Sequence, residues 1–248
     1  MTNKVDQFRA LHVPGKPLVL YNIWDAGSAR AVAEAGASAI ATGSYGVAEA
    51  QGFHDGETLP LEIVLETLKR ILSVTELPVT LDMETGYGET PDEVGTSVAQ
   101  AFVLGAAGIN MEDRMPGETV LLPMGEAAAR IAAAANTGIH VNARTDVYRG
   151  KDAADYSQAM IDEVLERAEA YAEAGAGSLF VPFLGDHATI SAICADSPLP
   201  VNILWAPGRG SIAELGALGV ARISYGHGPW AAAMEKLKSD ALEIYSSE

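Results

Sequence analysis

Four stretches of the chain read almost alike: AEAGASAIA at residues 33–41, VLGAAGINM at 103–111, AEAGAGSLF at 172–180 and GALGVARIS at 216–224. Each begins with a helix-like segment, continues with a Gly and ends with a short apolar run. Because Gly adopts the left-handed backbone that ends many helices, each stretch predicts a helix that stops at the Gly and a strand that follows at once.

Short apolar runs recur along the whole chain and alternate with amphipathic, Ala-rich segments. The predicted strands are Leu18–Tyr21, Ala39–Thr42, Val79–Asp82, Gly108–Met111, His140–Ala143, Ser178–Val181, Val201–Leu204 and Arg222–Ser224. The predicted helices are Ser28–Ala35, Pro60–Leu72, Pro91–Leu104, Gly125–Ala135, Asp155–Ala174, His187–Cys194, Ile212–Leu218 and Pro229–Ile244. Eight such strands predict a (β/α)8 TIM barrel. A doubly wound open sheet is the alternative, but no GxGxxG loop follows the first strand.

Length and charge limit the function classes. The 248 residues fit one barrel domain spanning 1–248, with no linker to divide it. A net charge of −17, from 16 Lys and Arg against 33 Asp and Glu, argues against nucleic-acid and membrane partners. The lone Cys194 excludes an internal disulfide and a cysteine-based zinc site. With neither a signal peptide nor a membrane span in the sequence, we expect a cytoplasmic protein.

Acidic side chains stand at the ends of neighbouring predicted strands. Asp82 and Glu84 lie in LDMETGYGE and, being two apart, point to the same side of an extended chain. Glu112 and Asp113 end the next strand in INMEDR. Crowded carboxylates repel one another unless a proton or cation intervenes, and oxygen ligands suit Mg²⁺ or Mn²⁺. Any one carboxylate alone is better explained as a helix cap or a solvated group, whereas Asp82, Glu84 and Glu112 together favour a metal site.

Arg144 ends the fifth predicted strand in VNARTD, close to these acids. Two interpretations stay open from the residues alone: a structural ion pair with Glu112 or Asp146, or a planar fork that clamps a substrate carboxylate. A cation together with an arginine favours a small, doubly anionic substrate whose reaction develops an enolate.

The order and spacing of these motifs resemble the isocitrate lyase/phosphoenolpyruvate mutase superfamily, from about Leu18 to Gly226. The motifs are YNIWDAGSARAVAEAGASAIATGSYGVA, QGFHD, LDMETGYGE, AAGINMEDR, VNARTDVY, PVNILWAPG and GVARISYG. The resemblance implies an oligomeric (β/α)8 barrel, a dimer or tetramer, often with its last helix exchanged between subunits. It also implies a Mg²⁺-dependent site that makes or breaks C–C or P–C bonds next to a 2-oxo or 2-hydroxy acid.

The resemblance also implies roles for individual residues. Those implied to bind substrate are Thr42, Gly43, Ser44, Arg144 and Asn202. Those implied to hold Mg²⁺, largely through waters, are Asp82, Glu84 and Glu112. Those implied to act in catalysis are Asp55, Glu112 and Arg144.

The chain departs from the family pattern at several positions. Glu84 stands where Asp is usual, and Phe183 stands where the lyases have a glutamate. After EDR the chain reads MPGETVLLPM instead of the K-[KR]-C-G-H loop whose cysteine is the acid/base of isocitrate and methylisocitrate lyases. Cys194 lies elsewhere, and Glu118 and Thr119 are the obvious polar candidates in the replacement loop.

Three functional hypotheses follow. The first is a Mg²⁺-dependent lyase or hydrolase that cleaves a C–C bond of a small 2-oxo or 2-hydroxy di-acid, such as an oxaloacetate- or malate-like compound, through an enolate-like intermediate. The second is a phosphonopyruvate-type mutase or hydrolase acting on a P–C bond. The third is a barrel that binds a carboxylic acid without turnover. Fold-level analogy does not choose among substrates.

Overall fold

The computed structural model describes residues 3–246, in which eight parallel strands alternate with helices. The strands are β1 (Leu18–Leu20), β2 (Ile40–Ala41), β3 (Val79–Asp82), β4 (Gly108–Glu112), β5 (His140–Arg144), β6 (Ser178–Val181), β7 (Val201–Leu204) and β8 (Arg222–Ser224). The helices are α1 (Lys4–Ala10), α2 (Ala26–Glu34), α3 (Ser44–Ala50), α4 (Leu61–Leu72), α5 (Pro91–Leu104), α6 (Met124–Ala135), α7 (Gln158–Glu173), α8 (His187–Asp196), α9 (Ile212–Ala217) and α10 (Gly228–Tyr245). The one-domain prediction spans 1–248, of which residues 1, 2, 247 and 248 lie outside the described residues.

The strands close into a barrel. Each strand from β2 to β8 pairs with its neighbour in sequence, and β8 also pairs with β1. Between β1 and β2 a single bridge, Ile23 with Thr42, completes the ring. Its hydrogen bonds run from the Ile23 amide to the Ala41 carbonyl at 2.8 Å and from the Gly43 amide to the Ile23 carbonyl at 3.1 Å. The predicted (β/α)8 barrel is therefore confirmed, and the open-sheet alternative is wrong.

The repeated joints have the predicted backbone. Gly36, Gly105, Gly175 and Gly219 all have positive φ, between 94° and 113°, directly after a helix. A residue with a Cβ would be strained in that conformation, which explains why Gly recurs at these four positions.

Alternation along the strands separates the apolar shell from the barrel interior. Ile109, Val141, Leu179 and Ile203 are fully buried in the apolar core. Their neighbours at the next position along each strand, such as Asn110 and Asn142, hydrogen-bond across the interior instead. The interior of the barrel therefore carries a buried polar layer, which lies directly under the carboxyl ends of the strands.

Two short helices were not predicted. The first, α1, covers the amino-terminal end of the barrel and buries Phe8 completely. A Cβ at Gly108 would lie 2.7 Å from the Phe8 ring, so glycine is needed where this ring enters. The second, α3, starts directly after β2 and carries Ser44 at its first turn. Neither is followed at once by a glycine and then an apolar strand, the pattern that marked even the six-residue α9.

The closing helix α10 leaves several large apolar side chains exposed, among them Leu237, Leu242 and Tyr245. Exchange of this helix between subunits stays a prediction, because the structure holds one chain. Within residues 3–246, no helix has the length and apolarity needed to cross a bilayer.

Candidate active site

A cavity of about 460 Å³ opens at the carboxyl ends of the barrel strands. Residues from several strand ends line it, including Gly43, Ser44, Asp55, Asp82, Asn110 and Arg144. This is the end of the barrel at which βα loops build active sites. A groove of about 540 Å³ near the amino ends of β1 and β2 has Lys16 among otherwise neutral lining residues, so it offers no comparable chemistry.

Asp82 is fixed at the end of β3 by two contacts to the loop after β2. Its carboxylate accepts a hydrogen bond from the Ser44 amide at 3.1 Å, and its own amide donates to the Thr42 hydroxyl at 2.8 Å. Burial raises the pKa of Asp82, while the Ser44 amide and the charge of Arg144 lower it and the charge of Asp55 raises it. The side chain is therefore held rigidly at the cavity with its charge only partly compensated by the protein.

Asp55 faces the same cavity from the loop between α3 and α4. Its residue is exposed, and among residues 3–246 none forms a hydrogen bond or ion pair with its carboxylate. The charge of Asp55 raises the pKa of both Asp82 and Glu84, so the three carboxylates share one electrostatic environment.

Glu84 is not among the residues that line this cavity, but it shares a smaller adjacent pocket with Asp82 and Ser44. Both of its carboxylate oxygens accept from the Glu57 amide, at 2.9 and 3.0 Å, and its backbone is left-handed with φ 49°. Burial raises the pKa of Glu84 to about 8, the Glu57 amide lowers it, and the charges of Asp55 and Asp82 raise it. Its extra methylene, compared with the usual Asp, extends the carboxylate to a backbone amide of a neighbouring loop.

Arg144 takes part in an ion pair on each side. Its Nη1 lies 2.5 Å from Glu112 Oε2, and its Nε and Nη2 donate to the two oxygens of Asp146 at 2.7 and 3.0 Å. Burial lowers the pKa of Arg144, but the charges of Glu112 and Asp146 outweigh it and raise the value above its usual range. Arg144 also lines the cavity, so the ion-pair arrangement holds the guanidinium where it can meet a ligand.

Glu112 is the cross-strand neighbour of Arg144 in the register of β4 and β5. Burial raises its pKa to about 7, Arg144 lowers it, and the charges of Asp146 and Asp82 raise it. Glu112 therefore lies between an arginine that lowers its pKa and acids that raise it. It is not among the residues that line the cavity.

Asp82 is the carboxylate of this cavity that could hold a hard divalent cation. No three His, Cys, Asp or Glu side chains within residues 3–246 are arranged to ligate one ion directly, so the structure does not bring Asp82, Glu84 and Glu112 into one shared coordination sphere. Asp82 and Asp55 face the cavity, and the pKa values of Asp82, Glu84 and Glu112 are all raised by burial and by neighbouring negative charge. A cation held by Asp82, with the other carboxylates reaching it through water, would relieve that repulsion.

Three predicted substrate-binding residues have defined structural partners. The Thr42 hydroxyl accepts from the Asp82 amide, and the Gly43 amide donates to the Ile23 carbonyl, although Gly43 still borders the cavity. Asn202 is fully buried below the cavity and is not among its lining residues; its Nδ2 donates to the Ser224 hydroxyl at 3.2 Å. Asn202 therefore contacts a residue of the lining rather than the open space.

Asp113, placed at the barrel mouth by the sequence, faces a different set of partners. Its carboxylate accepts from the Tyr171 hydroxyl at 2.7 Å, from Arg167 Nη1 at 3.2 Å and from the Asp146 amide at 3.1 Å. This buried network joins α7 to the ends of β4 and β5, which is a structural role.

Several residues of the lining were not predicted from the sequence, among them Asn110 and Arg149. Asn110 lies two residues before Glu112 and so shares its side of β4, a signal available from period-two alternation. Arg149 also lines the cavity; it donates to Asp146 at 3.1 Å and lies 5.4 Å from the centre of the Phe183 ring. Its position in a loop after β5 gave no pattern from which its direction could be predicted.

The profile of the phosphoenolpyruvate phosphomutase family matches residues 8–245. The chain belongs to the phosphoenolpyruvate mutase/isocitrate lyase superfamily. It is 38% identical to an uncharacterised protein of Mycobacterium tuberculosis over 97% of this chain and 90% of that protein. A solved structure from Burkholderia cenocepacia, provisionally named a phosphonomutase, is 47% identical with a TM-score of 0.94 over 97% of this chain and 98% of that chain.

Relatives in this superfamily differ in the bond on which they act. The chain is 31% identical to 2-methylisocitrate lyase of Escherichia coli over 69% of this chain and 62% of that enzyme. It is 30% identical to oxaloacetate decarboxylase of Rhodopseudomonas palustris over 74% of this chain and 65% of that enzyme. A phosphonopyruvate hydrolase solved with oxalate and Mg²⁺ shares the fold, with a TM-score of 0.86 at 23% identity over 99% of this chain and 88% of that chain. Of these three enzymes, the two of 30% identity or more are thus a lyase and a decarboxylase, and the likeness to the phosphonopyruvate hydrolase is one of fold.

Proposed function

We propose that the protein is a Mg²⁺- or Mn²⁺-dependent lyase or hydrolase that cleaves a C–C bond of a small 2-oxo or 2-hydroxy di-acid. The bond cleaved would lie next to the oxo or hydroxy group, and the reaction would pass through an enolate-like intermediate. One observation carries the proposal: the carboxylate of Asp82 and the guanidinium of Arg144 face the same cavity. A carboxylate and a guanidinium that line the same cavity can bind a cation and an anionic substrate side by side.

The cation would be held by Asp82, with Asp55, Glu84 and Glu112 reaching it through water. When bound, it supplies positive charge that stabilises negative charge developing on a substrate oxygen. The chain's own residues do the rest of the positioning. The Ser44 amide and the Thr42 hydroxyl fix Asp82 at the cavity.

Arg144 would bind a substrate carboxylate. Its Nε and Nη2 are engaged by Asp146, which orients the plane of the guanidinium and leaves Nη1 between Glu112 and the cavity. Preorganising a charged donor in this way lowers the entropic cost of binding. Asp55, without a hydrogen-bond partner among the described residues, is the carboxylate with most freedom to approach a reacting centre.

The proposal is tested by incubating the purified protein with oxaloacetate, malate and related 2-oxo and 2-hydroxy di-acids, with Mg²⁺ or with EDTA. We expect metal-dependent cleavage, with pyruvate and CO₂, or oxalate and acetate after addition of water, from oxaloacetate, and glyoxylate and acetate from malate. Unchanged turnover after chelation would contradict the metal-dependent part. Tight binding of a 2-oxo acid without any product over hours would favour the non-catalytic, acid-binding barrel instead.

One observation favours the second candidate, a phosphonopyruvate-type mutase or hydrolase. Arg149 lines the cavity with its side chain 46% exposed, so a second guanidinium stands beside Arg144. A phosphonate carries more negative charge than a carboxylate and suits two arginines. Phosphate release from phosphonopyruvate, lost in Arg149→Gln, would support this candidate over C–C cleavage.

We also propose a homo-oligomer, dimer or tetramer. The apolar side chains exposed along α10, such as Leu237 and Leu242, are a surface that self-association would cover. Sedimentation equilibrium of the parent and of Leu237→Glu tests this, since a charge in a subunit interface should release monomer.

A further inference from the structure

Asn110 lies on the cavity floor, above a chain of hydrogen bonds that runs through the barrel interior. Its Oδ1 accepts two hydrogen bonds, from Arg222 Nη2 at 3.0 Å and from Asn142 Nδ2 at 2.9 Å. Asn142 Oδ1 in turn accepts from the Ser178 hydroxyl at 2.6 Å, and Ser178 lies 3.0 Å from His140 Nε2. These bonds link the neighbouring strands β4, β5 and β6 to β8, which they reach across the barrel interior.

Arg222 fixes the direction of this chain. A guanidinium donates hydrogen bonds and never accepts them, so the atom of Asn110 that faces Arg222 must be the oxygen. Arg222 is fully buried; its Nε donates to the Ser224 hydroxyl at 3.4 Å and the described residues leave its Nη1 without a hydrogen bond, so the 3.0 Å bond to Asn110 Oδ1 is the shorter of the two that hold it. The Asn110 amide therefore has one orientation rather than two.

The consequence is a donor on the cavity floor. With Oδ1 occupied from below, Nδ2 is the atom of Asn110 left for the cavity, and no residue within 3–246 accepts a hydrogen bond from it. Because the Nδ2 group of Asn110 has no acceptor among the described residues and borders an open cavity, it can donate a hydrogen bond to an oxygen of a ligand.

We propose that Asn110 is a specificity-determining residue whose Nδ2 donates a hydrogen bond to a carboxylate or oxo oxygen of the substrate, and that Arg222 is the positioning residue that orients it. The inference rests on the proposed function for the class of ligand. A fixed NH₂ at this point favours an acceptor oxygen, and it disfavours analogues that place an ammonium group there.

The test measures binding of oxalate in the presence of Mg²⁺ by isothermal titration calorimetry. Asn110→Asp keeps the size of the side chain and its bonds to Arg222 and Asn142, but it turns an oxygen toward the cavity. We expect oxalate to bind at least about tenfold more weakly, since a charged hydrogen bond is exchanged for repulsion. Asn136→Asp, the same change at an exposed helix end, is the matched control and should bind like the parent.

Arg222 is tested by its own pair of variants. Arg222→Lys retains a hydrogen-bond donor for Asn110 Oδ1 and should keep most of the affinity for oxalate. Arg222→Met removes the donor and should lose most of that affinity. A purely structural role would lower the melting temperature of both variants without separating their affinities for oxalate.

A second measurement uses the unmodified chain, so it does not depend on the folding of a variant. The side-chain NH₂ signal of Asn110 in a ¹H–¹⁵N spectrum should move when oxalate is added. Equal oxalate affinity in the parent and Asn110→Asp, or a signal that stays in place while oxalate binds, would overturn the inference and leave the proposed function standing. A parent that binds no oxalate at all would overturn both.

Discussion

The backbone amide of Glu57 donates to both carboxylate oxygens of Glu84, at 2.9 and 3.0 Å. The Glu57 carboxylate in turn accepts hydrogen bonds from the Thr85 amide, the Thr85 hydroxyl and the Tyr87 amide. Two acidic residues thus tie the loop between α3 and α4 to the end of β3. Because Asp55 belongs to that loop, the contact between Glu84 and Glu57 also positions Asp55 at the site.

The first prediction concerns the length of the Glu84 side chain. Glu84→Asp removes the methylene that carries the carboxylate to the Glu57 amide, leaving a buried carboxylate and a buried amide poorly paired. We expect the free energy of unfolding to fall by about 1–3 kcal/mol, measured by urea denaturation. The control Glu62→Asp shortens an exposed glutamate on α4 and should change little. Equal stability of Glu84→Asp and the parent would mean that the loop is held by other contacts.

The second prediction concerns the guanidinium of Arg144. Arg144→Lys keeps the positive charge but cannot bind Asp146 through two parallel hydrogen bonds while also meeting Glu112. If Arg144 binds a substrate carboxylate, kcat/KM should fall by about 10- to 100-fold, equivalent to about 1.4–2.8 kcal/mol, with KM affected most. Arg70→Lys, at an exposed arginine paired with Glu66, is the control and should retain activity. Kinetics indistinguishable from the parent would restrict Arg144 to a structural ion pair.

The third prediction concerns the cation. Mn²⁺ should bind the parent protein with heat measurable by calorimetry, and Asp82→Asn should weaken that binding by at least about tenfold, because a charged oxygen ligand becomes neutral. Asp92→Asn removes an exposed carboxylate on α5 and should leave Mn²⁺ affinity unchanged. If Asp82→Asn binds Mn²⁺ as tightly as the parent does, Asp82 is not a ligand of the cation and the proposed reaction does not take place at Asp82.

The fourth prediction concerns His12, which stacks on His140 at the amino-terminal end of the barrel, 4.5 Å between ring centres. Burial, together with the charge of Arg222, lowers the pKa of His12 to about 3, although hydrogen bonds to the Phe8 and Arg9 backbone oppose this. Between pH 6.5 and 3 the unfolded chain therefore binds one more proton at this site than the folded chain, so His12 makes the protein less stable as the pH falls. The loss is about 1.4 kcal/mol per pH unit below 6.5.

His12→Phe should remove this dependence. The ring still packs against Phe8, so the difference in unfolding free energy between the variant and the parent should move in favour of the variant as the pH is lowered from 6.5 to 4.5. Buried carboxylates with raised pKa values stabilise the protein as the pH falls, which opposes the effect of His12. Because the variant and the parent share these carboxylates, their contribution cancels in the difference between the two unfolding free energies. His54→Gln, at an exposed histidine, is the control. A pH-independent difference would mean that His12 titrates normally in the folded protein.

The sequence predicted the barrel well because its signals are local. Each predicted strand coincides with an observed one within about two residues, and the glycines of the joints are left-handed as expected. The short helices α1 and α3 were missed because no glycine joint and following strand marks them, whereas the even shorter α9 has both. Their role, closing one end of the barrel and supplying Ser44, depends on packing that a linear pattern does not contain.

The site was predicted in composition but not in direction. Asp82 and Arg144 line the cavity, but Glu84, which alternation placed on the same side as Asp82, turns to the Glu57 amide because its backbone is left-handed. The partner of Glu84 lies in a loop whose path the sequence does not define. Likewise, the orientation of Asn110 follows from Arg222, which is 112 residues away in the chain and adjacent only in the closed barrel.

The single bridge that closes the barrel between β1 and β2 has a dynamic consequence. Backbone held by few neighbours opens at the lowest cost in free energy, so the amide protons of Ile23 and Gly43 should exchange with deuterium before those in the middle of β4 and β5. Gly43 and Ser44 border the cavity immediately after that bridge. The part of the barrel backbone that exchanges first would then lie beside the proposed substrate. A ligand bound in the cavity should therefore slow hydrogen exchange at Ile23 and Gly43.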